Sequence, residues 1–233
     1  MNFLKAEWRK LAIINYEINP VILLPYLPAG TELDDYHGKY YVSLVGFMFL
    51  NTKLLGLPVP FHRNFEEVNL RFYVKKKEGD QWKRGVVFIK EIVPKPALSF
   101  IANSVYREHY RTMPMKNTIQ DKENQLLIRY SWKDKAWHSI TLTAKNVPLP
   151  MHPDTEFEFI TEHYFGFTKR EDQTSEYEVC HPKWEYYEVK SHNVVVDFET
   201  LYGKHFKCLN HQQPVSVMLA EGSEIQVKTK KYL

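Results

Sequence analysis

The cysteines that have a histidine close by in the sequence are the first candidates for chemistry. Cys180-His181 and the pair Cys208 and His211 together offer four side chains of the types that bind zinc. Neither pair has the ligand spacing of a structural zinc site. Two cysteines are also too few for a disulfide scaffold. We therefore expect two free thiols and predict no metal.

A proline-rich loop carries a second set of candidate residues. Residues 53–64 contain two prolines and a glycine, and His62 and Arg63 stand near the end of this segment. Long loops within compact domains often carry function. His62 and Arg63 would line the mouth of a cavity and contact an anionic group there. The alternative is a structural Arg63 that ties the loop to a backbone carbonyl group.

The sequence lacks the motifs of several common reactions. It contains no G-x-S-x-G elbow, P-loop, dinucleotide fingerprint or His-Glu-x-x-His pair, so phosphoryl transfer, hydride transfer and metalloprotease chemistry lack support. The net charge of +3 is small, and the basic run Lys75-Lys76-Lys77 is followed at once by Glu78. This run is typical of a solvated hairpin end. We predict no cofactor and no nucleic-acid partner.

Length and hydropathy indicate the class of protein. Mixed sheet proteins often reach 233 residues around one core, so we expect one domain over residues 1–233. Residues 2–9 lack the apolar core of a signal peptide, and no apolar run reaches the roughly 20 residues that span a bilayer. These features predict a cytoplasmic protein without a membrane partner, and they leave homo-oligomer formation open.

Residue periodicity predicts mainly strands. Residues 68–74 alternate apolar and polar side chains, as a half-buried strand does, and we expect residues 82–93 to pair with them across a turn. Asn19-Pro20 favours a short helix over residues 21–26. Residues 97–106 have the best helical spacing, and Asp154 would cap another short helix through residue 160. The other predicted elements are a hairpin of residues 32–34 and 39–49, a hairpin of residues 126–132 and 137–144, and strands at residues 163–168, 176–180, 186–189, 215–220 and 225–228.

These elements predict an α+β fold with one large, curved, mostly antiparallel sheet that is barrel-like and carries a few short helices. The 15 Tyr, 14 Phe and 5 Trp residues favour strands and pocket walls.

Six local strings, together with the order of elements, resemble the YqjF-like family of bacterial proteins of unknown function over nearly the whole chain. The strings are residues 41–45 (YVSLV), 58–65 (PVPFHRNF), 68–71 (VNLR), 162–164 (EHY), 181–184 (HPKW) and 219–222 (LAEG). This family is grouped by fold with acetoacetate decarboxylase, which binds its β-keto acid substrate on a lysine. The resemblance therefore implies the decarboxylase-like fold.

The same resemblance suggests positions for site residues. Arg9 precedes Tyr16 by seven residues, as the active-site arginine of the decarboxylase precedes a tyrosine. Glu67 matches the catalytic glutamate better than Glu66 does, although which of the two faces the cavity stays open. The helix that opens at Pro96-Ala97 leads, counted without a gap, to His109 and Tyr110 where the decarboxylase has its lysine dyad.

The loss of that dyad decides which chemistry we expect. Neither His109 nor Tyr110 forms an iminium with a ketone, whereas a lysine amine does. Use of Lys95 or Lys116 after a shift in register is kept as an alternative, with Schiff-base decarboxylation as its function.

The resemblance thus implies a small-molecule site in a sheet-enclosed cavity. Arg9 would bind a carboxylate or carbonyl compound, Tyr106 and Tyr110 would wall the pocket, and Glu67 or His109 would transfer protons without a covalent intermediate. Each of two residues also has a structural alternative. Arg9 would pair with a neighbouring glutamate at a strand surface, and His109 would be a histidine after a helix with its hydrogen bonds satisfied. A third hypothesis is a structural or partner-binding protein whose aromatic side chains fill its own core.

Overall fold

The computed structural model describes residues 2–101, 103–104, 109–170 and 173–232. Over these residues fifteen strands form one sheet. The strands are β1 (Asn2–Glu17), β2 (Glu32–Leu33), β3 (Tyr41–Leu54), β4 (Leu57–Pro58), β5 (Phe65–Glu78), β6 (Gln81–Val93), β7 (Tyr110–Thr112), β8 (Met115–Lys122), β9 (Gln125–Lys133), β10 (Trp137–Leu149), β11 (Phe165–Lys169), β12 (Thr174–Cys180), β13 (Tyr186–Val195), β14 (Ser216–Lys228) and β15 (Lys231–Tyr232). The α-helices are α1 (Pro96–Ile101), α2 (Glu156–Thr161) and α3 (Phe198–Tyr202), and 3-10 segments cover Pro20–Ile22, Leu24–Tyr26 and Lys204–Asn210. Every helix in this part of the chain is too short or too polar to span a bilayer.

The central strands form a barrel-like ring. Along the sheet the order is β12, β11, β6, β5, β3, β1 and β14, and β14 pairs back to β12 through Val227 and Val179. Most pairs are antiparallel, while β6 pairs in parallel with β7 and with β11. The predicted α+β class and the curved, mostly antiparallel, barrel-like sheet are confirmed.

Two hydrophobic cores lie on the two faces of this ring. The inner core contains aromatic side chains such as Phe47, Phe49 and Phe65. The outer core is covered by β13, β10, β9 and β8 together with α3, and it contains Trp132 and Phe206. The ring strands are therefore covered on both sides, and their inner face encloses the candidate site.

Strand β5 shows how the sequence builds this wall. Val68, Leu70, Phe72 and Val74 face the outer core, because successive side chains of a strand point to opposite faces. The intervening side chains face the interior of the ring, and every residue from 65 to 74 is buried. The sequence predicted a half-buried strand with its polar face in solvent, whereas in the structure the polar face is buried as well.

Several predicted elements differ from the structure. The short strand β2 pairs with β5 through Leu33 and Val74, not with β3 as the predicted hairpin required. Part of the expected loop at residues 53–64 is a hairpin, since β3 continues to Leu54 and pairs with β4. The segment at residues 21–26 forms 3-10 turns rather than an α-helix, although the Asn19 side chain caps it by accepting from the Val21 amide.

The helices also have different bounds from those predicted. Helix α1 ends at Ile101, and part of the predicted stretch 97–106 lies outside the described residues. Helix α2 is capped by Thr155, whose hydroxyl accepts from the Glu158 amide, while Asp154 has a φ of 60° and precedes the cap. Helix α3 and strand β8 were not predicted.

Candidate functional site

The ring surrounds a partly open cavity of about 180 Å³. Its wall is mainly apolar, and its aromatic members are Phe3, Trp8, Phe47, Phe49, Phe65, Phe88, Tyr110, Phe165, Tyr177 and Trp184. Its polar members are Thr52, Glu67, Asn69, Arg71, Glu91, Thr161, His163 and His181. An apolar cavity with a few converging polar groups is the usual make-up of a small-molecule site.

A row of polar side chains on β5 forms the polar wall of the cavity. Glu67, Asn69 and Arg71 alternate along the strand, so all three point into the ring. Asn69 pairs across the sheet with Glu91 of β6, which pairs in turn with Tyr110 of β7. These five residues therefore form one contiguous polar surface.

Glu67 is held by hydrogen bonds at both carboxylate oxygens. The Asn69 amide donates to Oε1 at 3.0 Å, and the Tyr110 hydroxyl donates to Oε2 at 3.1 Å. Glu66 points to the opposite face, where its Oε2 accepts from Asn117 at 3.2 Å. The structure thus places Glu67, and not Glu66, on the cavity.

Arg71 is the basic group of the cavity. It is 8% exposed, and its Nε is buried without a hydrogen-bond partner among the described residues. Its guanidinium carbon lies 5.8 Å from the centre of the Tyr73 ring, and none of the ion pairs formed by described residues includes it. A buried guanidinium without a counter-charge is costly, because several kcal/mol of hydration are lost.

Arg9 does not share this cavity with Glu67. Its guanidinium donates to Oε2 of Glu7 at 2.9 and 2.7 Å, and it lies 3.7 Å from Glu221 on the outer side of the ring. This geometry corresponds to the structural alternative, in which Arg9 pairs with a neighbouring glutamate at a strand surface. Arg71, and not Arg9, lines the cavity.

A bulge in β1 explains where Arg9 points. Lys10 has a φ of 55°, and the pairing of β1 with β3 shifts register between Arg9 and Ala12. A bulged residue lets the strand change face at this point. Trp8 and Leu11 consequently both face the cavity, while Arg9 lies outside it.

The two residues at the expected lysine positions lie on different sides of the sheet. Tyr110 lines the cavity, whereas His109 is exposed in a surface groove beside Val87 and Lys169. Neighbouring positions of an extended chain point in opposite directions, so only one of them reaches the ring interior. No lysine of the described residues lines the cavity. Every lysine of the chain is among the described residues.

The alternative lysines lie elsewhere. Lys116 is exposed on β8, with its ammonium nitrogen 4.3 Å from the centre of the Trp137 ring. Lys95 lies between β6 and α1 and is not part of the cavity wall. Schiff-base chemistry would therefore need a lysine that the structure does not bring to the cavity.

The proline-rich loop contributes apolar contacts to the site. Val59 and Leu54 line the cavity, whereas Arg63 is exposed, with a guanidinium nitrogen 3.4 Å from Oδ1 of Asn51. His62 bonds through Nδ1 to the carbonyl oxygen of Pro60 at 2.7 Å. Neither His62 nor Arg63 is among the lining residues. Tyr106 lies outside the described residues.

Two histidines of the wall were not predicted as site residues. Burial lowers the pKa of His181 to about 4, and the nearby charge of Arg71 acts in the same direction. Its ring stacks on Trp184 at 4.2 Å, and its Nδ1 bonds to the Pro182 carbonyl oxygen at 2.9 Å. Burial also lowers the pKa of His163, which bonds through Nε2 to Asp34. Their strings, EHY and HPKW, were noted in the sequence, but nothing in them indicated a common cavity.

The described residues show no three His, Cys, Asp or Glu side chains grouped as metal ligands. Cys180 and Cys208 are both free cysteines.

Comparisons with known proteins identify the family and the fold. The model of a family of uncharacterized conserved proteins, DUF2071, matches residues 5–224. The chain is 25% identical over 183 residues to the uncharacterized protein YqjF of Bacillus subtilis, a match covering 78% of this chain and 74% of that protein. Acetoacetate decarboxylase from Legionella pneumophila superposes with a TM-score of 0.67 at 15% identity, over 99% of this chain and 87% of that one. The enduracididine biosynthesis enzyme MppR, solved in complex with pyruvate, superposes with a TM-score of 0.67 at 9% identity, over 100% of this chain and 91% of that one.

At these identities the solved structures show a shared fold, and some of the proteins with that fold are enzymes. With nearly its whole length matched, the chain belongs to the DUF2071 family of uncharacterized conserved proteins, on the acetoacetate decarboxylase-like fold.

Proposed function

We propose that the protein binds a small carboxylate or carbonyl compound in the ring cavity, with Arg71 as the anchor of its anionic group. The observation that carries the proposal is the Arg71 guanidinium, buried in the cavity wall without a hydrogen-bond or ion-pair partner among the described residues. A guanidinium presents a planar set of donors that matches a carboxylate bidentately. A bound carboxylate would supply the counter-charge that the described residues do not.

The acidic residues of the wall restrict how such a ligand lies. Glu67 and Glu91 line the same cavity, and both have partners in the folded protein. A ligand carboxylate placed beside them would be repelled. The anionic group therefore lies at Arg71, and the uncharged part of the ligand lies against the carboxyl groups and the aromatic wall.

Binding of small carboxylates to an arginine variant tests this proposal. We expect isothermal titration calorimetry to show one site per chain for at least one acid of a series that includes acetate, pyruvate and benzoate. Arg71→Met should weaken that affinity by about thirtyfold or more, since a desolvated charge pair that loses one partner costs at least about 2 kcal/mol. The measured quantity is the dissociation constant.

Arg9→Met is the matched control, because Arg9 carries the same charge outside the cavity and is paired with Glu7. It should bind the same acids with an unchanged dissociation constant. Equal losses in the two variants would contradict the proposal, as would a wild-type protein that binds none of the acids.

The hydrogen bonds of Glu67 favour an additional, catalytic role. Its carboxylate is 2% exposed and holds the Tyr110 hydroxyl at 3.1 Å on the cavity wall. A positioned carboxylate of this kind accepts a proton from carbon next to a carbonyl. The Tyr110 hydroxyl donates its one proton to this carboxylate in the ligand-free protein, and it would turn to donate to the oxygen that becomes negative as the carboxylate takes up the carbon-bound proton. The step is a non-covalent proton transfer, because the cavity brings no lysine to form an iminium.

Exchange of carbon-bound protons measures this role directly. In deuterium oxide a C3 proton of pyruvate would pass to Glu67, and a deuteron would return to the same carbon from the exchanged carboxyl group. We expect proton NMR to show protein-dependent loss of the pyruvate methyl signal, slowed at least tenfold by Glu67→Gln. Glu66→Gln should leave the rate unchanged, since Glu66 faces the outer side. A rate unaffected by Glu67→Gln would exclude Glu67 as the base.

A further inference from the structure

The volume of the cavity matches a ligand with one ring. An apolar cavity of ~150 Å³ accommodates benzene. The cavity here measures about 180 Å³, which adds room for a carboxylate but not for a second fused ring. Acetate would leave most of this apolar volume unfilled, and unfilled apolar volume forfeits contacts that a larger ligand makes.

The aromatic side chains of the wall favour an aromatic ligand ring over a saturated one. The Phe47 and Phe49 rings meet the Trp8 ring edge-on at 5.4 and 5.8 Å, and Phe49 stacks on Phe65 at 4.8 Å. Each of these four residues lines the cavity. Aromatic pairs in such arrangements gain stabilisation beyond the area that they bury, because the positive edge of one ring meets the negative face of another.

The charges of the wall agree with this arrangement. The edge of an aromatic ring carries partial positive charge. A ring whose carboxylate is held at Arg71 therefore presents a favourable edge to Glu67 and Glu91, whereas a second anionic group would meet both of them. The charges of the wall therefore favour a monocarboxylate over a dicarboxylate.

We infer that the ligand of the cavity is a single-ring aromatic monocarboxylic acid, of the size of benzoate or phenylacetate. This inference rests on the proposed function, since it takes Arg71 as the carboxylate anchor. The inference adds the chemical class of the uncharged part of the ligand, which Arg71 alone does not determine.

A matched pair of acids tests the inference by calorimetry. Benzoate and cyclohexanecarboxylate have the same number of carbon atoms and the same charge, but only benzoate is flat and aromatic. We expect benzoate to bind about five to ten times more tightly, and 1-naphthoate to show no binding at the same concentrations. Phe49→Leu should reduce the benzoate preference, while Phe206→Leu, in the outer core, should keep it.

The outcomes separate this inference from the function on which it rests. If acetate or cyclohexanecarboxylate binds through Arg71 and benzoate binds no more tightly, the proposed function stands and the aromatic class is overturned. Tight binding of 1-naphthoate overturns the size limit. If no acid binds, the proposed function fails and the inference fails with it. The wild-type series alone decides the aromatic class and the size limit, so these two results do not depend on the folding of a variant, and Arg71→Met is needed only to show that binding uses Arg71.

Discussion

Arg71→Met should raise the free energy of unfolding of the ligand-free protein by about 1–4 kcal/mol. The guanidinium is 8% exposed and has neither a hydrogen bond nor an ion pair within the described part of the chain. Methionine has a similar length, removes the buried charge and packs well into irregular apolar space. For a chain of this size, each kcal/mol corresponds to a shift of about 2–4 °C in the melting temperature.

Chemical denaturation with urea would measure the change, with Arg9→Met as the comparison. Arg9 is part of a half-exposed pair with Glu7, so its loss should lower the unfolding free energy by no more than about 1 kcal/mol. A less stable Arg71→Met protein would mean that the guanidinium is satisfied in the folded chain. In that case the argument for an anionic ligand would lose its basis.

Addition of a bound carboxylate should reduce the stability advantage of Arg71→Met over wild type. A ligand present at 100 times its dissociation constant stabilises the folded state by about 2.7 kcal/mol. At that concentration a variant that binds thirtyfold more weakly receives only about 0.9 kcal/mol, so the difference between the two proteins should shrink by about 1.9 kcal/mol or more. A difference in unfolding free energy between wild type and Arg71→Met that depends on ligand is expected when Arg71 belongs to a binding site, and is not expected when it belongs to a structural core.

The alternation along β5 predicted the strand correctly but not the surroundings of its polar face. Val68, Leu70 and Phe72 recur with a period of two, which identifies a strand. The same pattern describes a strand with one face in solvent and a strand with one face in a polar cavity. Asn69 and Arg71 could therefore not be placed in a site until the ring closed around them.

The misplacement of Arg9 has a local cause. Counting seven residues back from Tyr16 assumes that the side chains of β1 alternate without interruption. The bulge at Lys10, with its φ of 55°, breaks that alternation. A lysine gives no indication of positive φ, since glycine and asparagine are the usual residues there. The error therefore concerned the face of the strand on which Arg9 lies.

The remaining wall residues depend on long-range pairing. Tyr110, His163 and His181 reach the cavity because β7 and β11 pair with β6, and β12 pairs with β14. These pairings join segments that are far apart in the chain, and periodicity within each segment does not specify them. The resemblance to the decarboxylase supplied Tyr110 through a gap-free count, but it supplied neither histidine.

A buried charge cluster next to the cavity holds this part of the ring together. The Asp34 side chain is 5% exposed, and its Oδ2 accepts from Arg84 Nε at 2.6 Å and lies 3.1 Å from His163 Nε2. Burial alone would raise the pKa of Asp34, but the hydrogen bonds from His163 and Arg84 outweigh it and hold the pKa below its usual 3.8. His163 is itself part of the cavity wall, so the cluster links the stability of the ring to the site.

Acid should weaken this cluster in two stages. Because the pKa of His163 is lowered by burial, the unfolded chain takes up a proton near pH 6.5 that the folded chain does not, and stability falls below that pH. Asp34 contributes stability above its ordinary pKa of 3.8, and this contribution is lost as the pH falls through its lower folded value. Both shifts therefore make the folded state less stable in acid than at neutral pH.

We expect Asp34→Asn to lower the free energy of unfolding by about 3 kcal/mol at pH 7. Removing one member of a buried pair leaves the other charge uncompensated, which typically costs 3–5 kcal/mol, and the partial exposure of Arg84 places the effect at the lower end. Urea denaturation at a series of pH values would measure it. The difference from wild type should persist from pH 7 to about pH 4 and close only below the ordinary pKa of aspartate, where Asp34 becomes protonated in the wild-type protein.

Asp80→Asn makes the same chemical change at an exposed position in the turn between β5 and β6. Its effect should stay within about 0.5 kcal/mol, as for most surface substitutions. A similarly small effect of Asp34→Asn would show that the hydrogen bonds to Arg84 and His163 contribute little, and that the ring does not depend on this cluster. A difference that stays constant below pH 3 would show instead that the lost stability comes from packing around residue 34 and not from its charge.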